Sequence, residues 1–334
     1  MRKVALRAVL SLLPCLLYAQ HTDSRLHAYF IDVEGGQSTL IVAPGKHALL
    51  IDAGWDSDGR DAARIAKTAH AAGVDKLDTL LITHFHRDHA GGVPDLLKLI
   101  PAWNVVDHGS DVVPYPGSDQ IMKAYGVATV GVPHRTARPG DRFQIGEMRV
   151  FVLAAGGRGL TRALPKVRVS NSACQDASRQ KQEETENVQS VAVLVQFGDF
   201  RLLDDGDLLW NGEQALVCPQ NLIGHVDALL LSHHGEDSSN PPTLIRAIAP
   251  RAAIMNNGEK KGGSASTAAM LAAAKVELWQ LHYSGPMGLH NAPGEFIANE
   301  KGTCNADGIE LSADRKGNFT VVNSRNGYRK DYPR

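Results

Sequence analysis

The sequence lacks an excess of charge of either sign, closely spaced cysteine pairs and an apolar run long enough to cross a membrane. Its 334 residues include 35 Lys and Arg and 36 Asp and Glu, which gives a formal net charge of −1 at pH 7. A nearly neutral chain has no overall attraction for nucleic acid or anionic membranes, so any such affinity has to be local. None of the four cysteines has the CxxC spacing of a zinc knuckle, and no motif of a nucleophilic serine is evident.

The N-terminus has the composition of a secretory signal peptide. Three basic residues precede the apolar stretch Ala8–Leu17, and a small-residue site follows at Ala19. We therefore predict a signal peptide over residues 1–19, a single domain over residues 20–334 and a periplasmic or secreted location. Cleavage removes three basic residues and no acidic one, which changes the formal charge from −1 by three units to −4.

Three cysteines remain after the predicted cleavage, and we expect them to be structural. They are Cys174, Cys218 and Cys304. In an oxidising compartment an odd number permits one disulfide and one free thiol. The pairing cannot be deduced from the sequence.

A cluster of metal-type ligands directly follows the apolar run Leu77–Ile82, which we interpret as a buried strand. The cluster consists of His84, His86, Asp88 and His89. His84 and His86 are two residues apart, so both imidazoles point to the same side while the chain stays extended. Asp88 and His89 follow where the chain turns toward a helix, and they point elsewhere. This arrangement suits two neighbouring ions better than one, and its ligand types favour Zn²⁺, with Mn²⁺ or Fe as substitutes.

Apolar runs and Ala-rich helical segments alternate in both halves of the chain. Strands are predicted, among others, over residues 26–33, 38–43, 48–51, 191–197, 200–203 and 226–231, and helices over 61–72, 94–100, 242–249 and 267–274. Repeated β-α-β units in two halves predict an α/β (α+β) fold, a four-layer αβ/βα sandwich. The last eleven residues are interpreted as a polar tail.

The motif His84-x-His86-x-Asp88-His89, followed by Gly91-Gly92, resembles that of the metallo-β-lactamase-fold hydrolases. This family includes lactamases, glyoxalase II, lactonases, ribonuclease Z and the extracellular domain of ComEC-type DNA-uptake proteins. Asp52 matches a family carboxylate that supports the metal site from just outside it, although a helix-capping aspartate is the alternative. The histidine that lactamases and glyoxalases have after the strand ending at Leu153 is missing, as in the ComEC-like branch. His108 or His134 could fill that place.

Three later elements are similar to the ComEC-like branch. They are Asn187-Val188-Gln189-Ser190, Gly206-Asp207 and Ser232-His233-His234-Gly235. The resemblance implies that Asp207 bridges two metal ions and that one histidine of the pair completes the second metal shell. Adjacent side chains at a strand end diverge, so only one of the pair can be the ligand. We favour His234, with His233 facing the substrate as an acid or hydrogen-bond donor.

The resemblance thus implies a complete assignment of the site. One ion is held by His84 and His86, the other by Asp88, His89 and His234, with Asp207 between them, and the catalytic residues are Asp88 and His233. Such ions lower the pKa of a shared water from about 15.7 toward 7 and stabilise negative charge on a carbonyl or phosphoryl oxygen.

The leading hypothesis is therefore a secreted metal-dependent hydrolase, with a small molecule or phosphodiester as substrate and a phosphodiester favoured. A nucleic-acid substrate fits the resemblance, but the acidic mature chain offers little non-specific attraction for it. The basic front of the irregular segment 158–186 could hold an anionic substrate, although a solvated surface insertion is the commoner explanation. One alternative is a lactonase or β-lactamase-type hydrolase of a cyclic ester or amide, which predicts an apolar pocket. Another is a non-catalytic metal- or ligand-binding protein on this fold.

Overall fold

The structure is a computed structural model that describes residues 23–165, 167, 170–181 and 184–334. The predicted signal peptide lies outside these residues. The strands are β1 (Leu26–Phe30), β2 (Thr39–Ala43), β3 (His47–Ile51), β4 (Thr79–Leu81), β5 (Val105–Asp107), β6 (His134–Thr136), β7 (Arg142–Ile145), β8 (Met148–Ala155), β9 (Arg158–Gly159), β10 (Ala192–Phe197), β11 (Phe200–Asp204), β12 (Ala228–Leu230), β13 (Ala252–Met255), β14 (Glu277–His282), β15 (Ile297–Asn299), β16 (Ile309–Ala313), β17 (Phe319–Asn323) and β18 (Arg329–Tyr332). The α-helices are α1 (Arg60–Ala71), α2 (Arg87–Ala90), α3 (Val93–Leu99), α4 (Ser118–Ala128), α5 (Trp210–Val217), α6 (Pro242–Ile248) and α7 (Ala265–Ala273).

Two mixed β-sheets face each other, and helices cover the outer face of each. The strand order is β18-β17-β16-β1-β2-β3-β4-β5-β6 in the first sheet and β15-β14-β13-β12-β11-β10-β8-β7 in the second, where β9 also pairs with β8. Helices α1, α3 and α4 pack on the first sheet, and α5, α6 and α7 pack on the second. The predicted four-layer αβ/βα sandwich is therefore confirmed.

The central strands are apolar on both faces because both faces are covered. In β2, Ile41 points into the core between the sheets with Phe200 and Trp279, whereas Leu40 and Val42 pack under the helices. Burying one such aliphatic side chain contributes about 1.5–3 kcal/mol. A continuous apolar run of this kind is what the sequence shows from residue 39 to 43.

Parallel strands bring the polar residues that follow them to one edge of the sandwich. In the first sheet β3 and β4 are parallel and pair Ile51 with Leu81. In the second sheet β11 and β12 are parallel and pair Asp204 with Leu230. The segments that leave the carboxyl ends of these strands carry the predicted metal ligands, which is the usual place for a site in sheets of this type.

The expectation of a polar C-terminal tail is wrong, because part of this segment forms the edge strand β18, paired with β17. Tyr332 is 7% exposed. Its hydroxyl accepts a hydrogen bond from Trp279 Nε1 at 2.9 Å and donates one to Glu277 at 2.6 Å. An edge strand held by one buried side chain has too few apolar residues to be recognised from its pattern.

The structure resolves the cysteine pairing that the sequence left open. Cys174 and Cys218 form a disulfide with a Cα–Cα distance of 5.6 Å across 44 residues of sequence. Of the cysteines that the structure describes, Cys304 is free and exposed. The bond ties the irregular segment after β9 to the end of α5.

Replacing both disulfide cysteines by serine is expected to lower the free energy of unfolding by about 2–4 kcal/mol, because the unfolded chain regains the freedom of a long loop. Urea unfolding followed by circular dichroism measures this loss. Cys304→Ser is the matched control and is expected to change stability by less than about 0.5 kcal/mol. Equal stability of the double variant and the parent chain would contradict the prediction.

No helix in the described ranges is both long enough and apolar enough to span a membrane.

Candidate metal centre

The predicted metal ligands converge in two overlapping groups. The first group is His84, His86 and Asp207, and the second is Asp88, His89, His234 and again Asp207. The candidate ligand atoms within each group all lie within 4.8 Å of one another. His234 Nε2 is 3.1 Å from Asp88 Oδ2, and His89 Nε2 is 3.3 Å from Asp207 Oδ2. The carboxylate shared by the two groups belongs to Asp207.

The donor set fits a divalent metal ion. Every member is an imidazole or a carboxylate, and all except His86 are buried. The buried Asp207 Oδ1 has no hydrogen-bond partner among the described residues, and His89 Nε2 has only the carboxylate oxygens of Asp88 and Asp207 near it, at 3.4 and 3.3 Å. Leaving such an atom unpaired costs about 1–3 kcal/mol, so a ligand in this place would relieve the cost. Imidazole and carboxylate together suit Zn²⁺, Mn²⁺ or Fe.

Asp52 supports this site from outside the two groups. Its Oδ2 atom accepts hydrogen bonds from Thr83 Oγ1 and pairs with His89 Nδ1, both at 2.7 Å, and its Oδ1 atom accepts one from the Thr83 backbone N–H at 2.7 Å. These contacts fix the His89 ring, leaving Nε2 to face the second group. None of these bonds is that of a helix cap, so they do not support the alternative of a helix-capping role for Asp52.

The two histidines after β12 diverge as expected, because the backbone there is left-handed. His233 has a φ of 50° and His234 a φ of 54°, and each such conformation costs a non-glycine residue about 1–3 kcal/mol. His234 is fully buried in the second group. His233 Nδ1 lies 2.8 Å from Ser238 Oγ, and its Nε2 lies 3.2 Å from Asn187 Nδ2 and 3.9 Å from Asp207 Oδ2. His233 thus lies beside the ligands rather than among them.

Neither histidine considered as a replacement for the missing mid-chain ligand joins the groups. His108 Nε2 is paired with Glu186 Oε1 at 2.7 Å, and His134 Nε2 with Asp107 Oδ2 at 2.6 Å. Both pairs lie at the end of β5, on the far side of β4 from Asp52 in the strand order. The sequence does not predict these pairs, because each carboxylate is distant in sequence from the histidine that it contacts.

Burial and opposite charges shape the ionisation of the groups. Burial holds the pKa of His84 well below its usual range. Burial alone would also lower the pKa of His89, but the carboxylates of Asp207 and Asp88 outweigh it and raise that pKa well above the usual range. In the metal-free chain a proton on His89 therefore balances the carboxylates, and a metal ion has to compete with that proton.

Asp204 and Asp205 lie behind the ligands and are fully buried. Burial, assisted by the Asp52 carboxylate, raises the pKa of Asp204 to about 7. Burial and the Asp204 carboxylate raise the pKa of Asp205 to about 8. Gln37 Nε2 donates a hydrogen bond to Asp204 Oδ1 at 3.0 Å. The sequence predicts that these two aspartates tune the charge of the site, and the structure adds that both are buried.

The raised pKa of Asp204 predicts a pH-dependent stability. An unfolded aspartate titrates near 3.8, so between about pH 4 and about pH 7 the folded state binds more protons than the unfolded state. The free energy of unfolding of the EDTA-treated chain is therefore expected to fall as the pH rises across this range. Urea unfolding at both ends of the range measures the fall, which should be smaller in Asp204→Asn. An identical pH dependence in the variant would contradict the assignment.

Lys261 is a member of the site that the sequence did not reveal. The sequence predicts only a loop at residues 258–263 that could reach a phosphate. In the structure its Nζ atom forms an ion pair with Asp88 Oδ2 and lies 3.1 Å from His234 Nε2. No spacing motif marks such a lysine, because only the packing of the loop after β13 places it here.

A cleft of about 580 Å³ lies one residue away from His233, and its described lining includes neither His233 nor a candidate metal ligand. Its wall includes Ser238, which contacts the His233 ring, and Leu208, which follows Asp207. The cationic residues of the wall are Arg158, Arg179 and Lys181, and the apolar ones include Val188, Leu209 and Trp210. Arg158 also lines a neighbouring hollow, and Arg162 lines that hollow but not the cleft.

Comparison with known proteins finds similarity over part of this chain. The family model of the metallo-β-lactamase superfamily matches residues 31–170. An atrochrysone carboxyl ACP thioesterase of Cryptosporiopsis sp. (strain 8999) is 37% identical over 109 residues, which cover 32% of this chain and 33% of that protein. A lactamase-like protein of Pestalotiopsis fici is 33% identical over 109 residues, covering 32% of this chain and 34% of the relative. The metallo-β-lactamase fold protein YhfI from Bacillus subtilis has a TM-score of 0.47 at 11% identity, covering 77% of this chain and 96% of that chain.

The chain spans about one third of the length of the curated relatives that it matches. The relatives named here are a thioesterase and a lactamase-like protein, so membership of the ComEC-like branch stays a prediction. The matched segment includes the first four ligand candidates and Asp52, and the fold is the predicted sandwich. Over residues 31–170 the chain is therefore similar to the metallo-β-lactamase superfamily.

Proposed function

We propose that the chain is a metal-dependent hydrolase. The observation that carries this proposal is the pair of buried ligand groups that share Asp207. Zn²⁺ is the proposed metal, with Mn²⁺ or Fe as alternatives, held by the residues of the two groups. When bound, such an ion lowers the pKa of water and stabilises negative charge on a carbonyl or phosphoryl oxygen. The family match and the thioesterase name of a relative support hydrolysis.

His233 is the proposed residue that acts on the substrate. Its Nδ1 atom is held by Ser238, so its Nε2 atom faces Asn187 and the side of Asp207. The side chain is 18% exposed, whereas His234 is fully buried. In this position Nε2 can donate a hydrogen bond or a proton to a substrate group that lies beside Asp207.

The cleft favours a substrate with an anionic group. Its three cationic side chains would attract a phosphate or carboxylate, and its apolar residues would contact the rest of the molecule. A phosphodiester is the leading substrate class, which also agrees with the resemblance to the ComEC-like branch. The basic wall argues against a neutral cyclic ester or amide, for which an apolar pocket is expected.

A second candidate is hydrolysis of an acyl thioester. The supporting observation is the similarity to the atrochrysone carboxyl ACP thioesterase, which is confined to about a third of either chain. An anionic carrier group on the thiol side would suit the same cationic wall. The non-catalytic alternative, a metal- or ligand-binding protein, would retain the metal groups without turnover.

We also propose that the chain functions outside the cytoplasm, in the periplasm or beyond the cell. The disulfide between Cys174 and Cys218 supports this location, because such bonds persist in oxidising compartments. Location of a tagged full-length chain in fractionated cells of the source species tests it. Retention in the cytoplasm with reduced cysteines would contradict it.

A substrate panel tests the proposed function. The metal-reconstituted chain is assayed on bis-p-nitrophenyl phosphate, an acyl-coenzyme A thioester, a lactone and a β-lactam reporter, with Asp207→Asn as the inactive control. Turnover of the phosphodiester that depends on Asp207 supports the leading class, and turnover of the thioester alone supports the second candidate. Bound metal without turnover of any substrate favours the binding alternative. Absence of bound metal after reconstitution would refute the hydrolase.

A further inference from the structure

The second ligand group already contains a positive charge. Lys261 Nζ forms an ion pair with Asp88 Oδ2 and lies 3.1 Å from His234 Nε2. These two atoms are members of the group that also includes His89 and Asp207. The ammonium therefore lies where two of the four candidate ligand atoms of this group converge.

The backbone around Lys261 holds the side chain in this position. The Gly258 backbone N–H donates a hydrogen bond to the Lys261 carbonyl at 2.8 Å, and the Gly263 N–H donates one to the His234 carbonyl at 2.8 Å. A Cβ atom at Gly262 would lie 2.7 Å from His234 Cβ. Only glycine allows this close approach, so the loop of Lys261 is packed against the segment that carries the ligand.

The ammonium of Lys261 also lies near an aromatic ring. Its Nζ lies 5.1 Å from the centre of the Trp55 ring, a distance at which the ring face attracts a cation. Its side chain is 33% exposed, and the adjacent Lys260 is exposed. The two neighbouring lysines therefore differ sharply in environment, although nothing in the sequence distinguishes them.

The first ligand group has no comparable contact. Among the hydrogen bonds and ion pairs of the described residues, none joins Lys261 to His84 or His86. His84, His86 and Asp207 supply three ligands, the number that a catalytic zinc site usually has beside one open position. A divalent ion in the second group would instead have the ammonium as its immediate neighbour, and like charges at this distance repel strongly.

We propose that the ammonium of Lys261 takes the place of a second metal ion, so that the chain binds a single divalent ion through His84, His86 and Asp207. This inference rests on the proposed metal-dependent function and specifies its stoichiometry. The second positive charge of the site is then a fixed side chain that neutralises Asp88. The resemblance had implied two ions, and Lys261 is the feature of this chain that departs from that expectation.

Metal content measures the inference directly. The chain, stripped with EDTA, is titrated with Zn²⁺ alone by calorimetry, and bound zinc is counted by elemental analysis after desalting. We expect one ion in the parent chain, two in Lys261→Met and one in the matched control Lys260→Met. Lys261→Arg keeps the positive charge and is expected to stay at one.

Each result supports or overturns a defined statement. Two ions in the parent chain would overturn the inference and leave the proposed function intact. One ion in a folded Lys261→Met would also overturn it, and Lys261→His, which adds a neutral ligand, repeats the test should the methionine variant not fold. No ion in the parent chain would refute the metal-dependent function itself.

Discussion

Asp207→Asn is expected to abolish hydrolysis of the best substrate and to weaken metal binding. Asp207 is the member common to both ligand groups, and its Oδ1 atom has no hydrogen-bond partner among the described residues. An asparagine keeps the volume of the side chain but removes its negative charge, so the imidazoles lose their anionic partner. We expect kcat/KM to fall by more than about 100-fold. A loss of about 100-fold is the upper end of what removal of a residue that only supports the ligands causes.

The measurement combines kcat/KM with metal content, and circular dichroism verifies that the variant is folded. Asp199→Asn is the matched control, because Asp199 is an exposed carboxylate in the turn between β10 and β11 that pairs with Arg334. Its activity and metal content should equal those of the parent chain. An Asp207→Asn variant that retained full activity would remove Asp207 from the site.

Asp52→Asn is expected to lower both stability and metal affinity. Asp52 is fully buried, and its carboxylate is bonded to Thr83 and to the fully buried His89 ring. Asparagine tolerates the left-handed backbone at this position, where φ is 60°, so the change removes charge and one acceptor only. We expect a loss of about 3 kcal/mol in the free energy of unfolding. Zinc binding should be about 10–100-fold weaker, because the Thr83 hydroxyl that Asp52 holds lies 3.1 Å from Nδ1 of the ligand candidate His84.

Asp61→Asn separates the two effects. Asp61 is also a fully buried carboxylate, but it accepts a hydrogen bond from the Trp55 backbone N–H and pairs with Arg60 rather than with a ligand candidate. Its variant should lose stability and keep the zinc affinity of the parent chain. If Asp52→Asn lost stability alone, Asp52 would be a purely structural residue and the alternative to a metal-supporting role would hold.

Local sequence patterns were sufficient for the layers of the fold and for the first ligand cluster. The apolar runs of β2 and β4 show that both sheet faces are covered, and His84 to His89 are adjacent in the chain, so their spacing alone predicts a metal site. Helix α4 and strand β18 were not predicted, because their patterns are weakly periodic and only their tertiary partners stabilise them. The grouping of Asp207 and His234 with that cluster was implied only by resemblance.

What the sequence by itself determined is the class of fold, the candidate ligands and the number of cysteines available for a disulfide. These depend on residue type and on spacings of a few residues, which the period of a strand or helix converts into direction. What only the tertiary structure decided is the pairing of Cys174 with Cys218, the partners of His108 and His134, and the position of Lys261. Each depends on which distant segments the packed sheets bring together, and no local spacing encodes that.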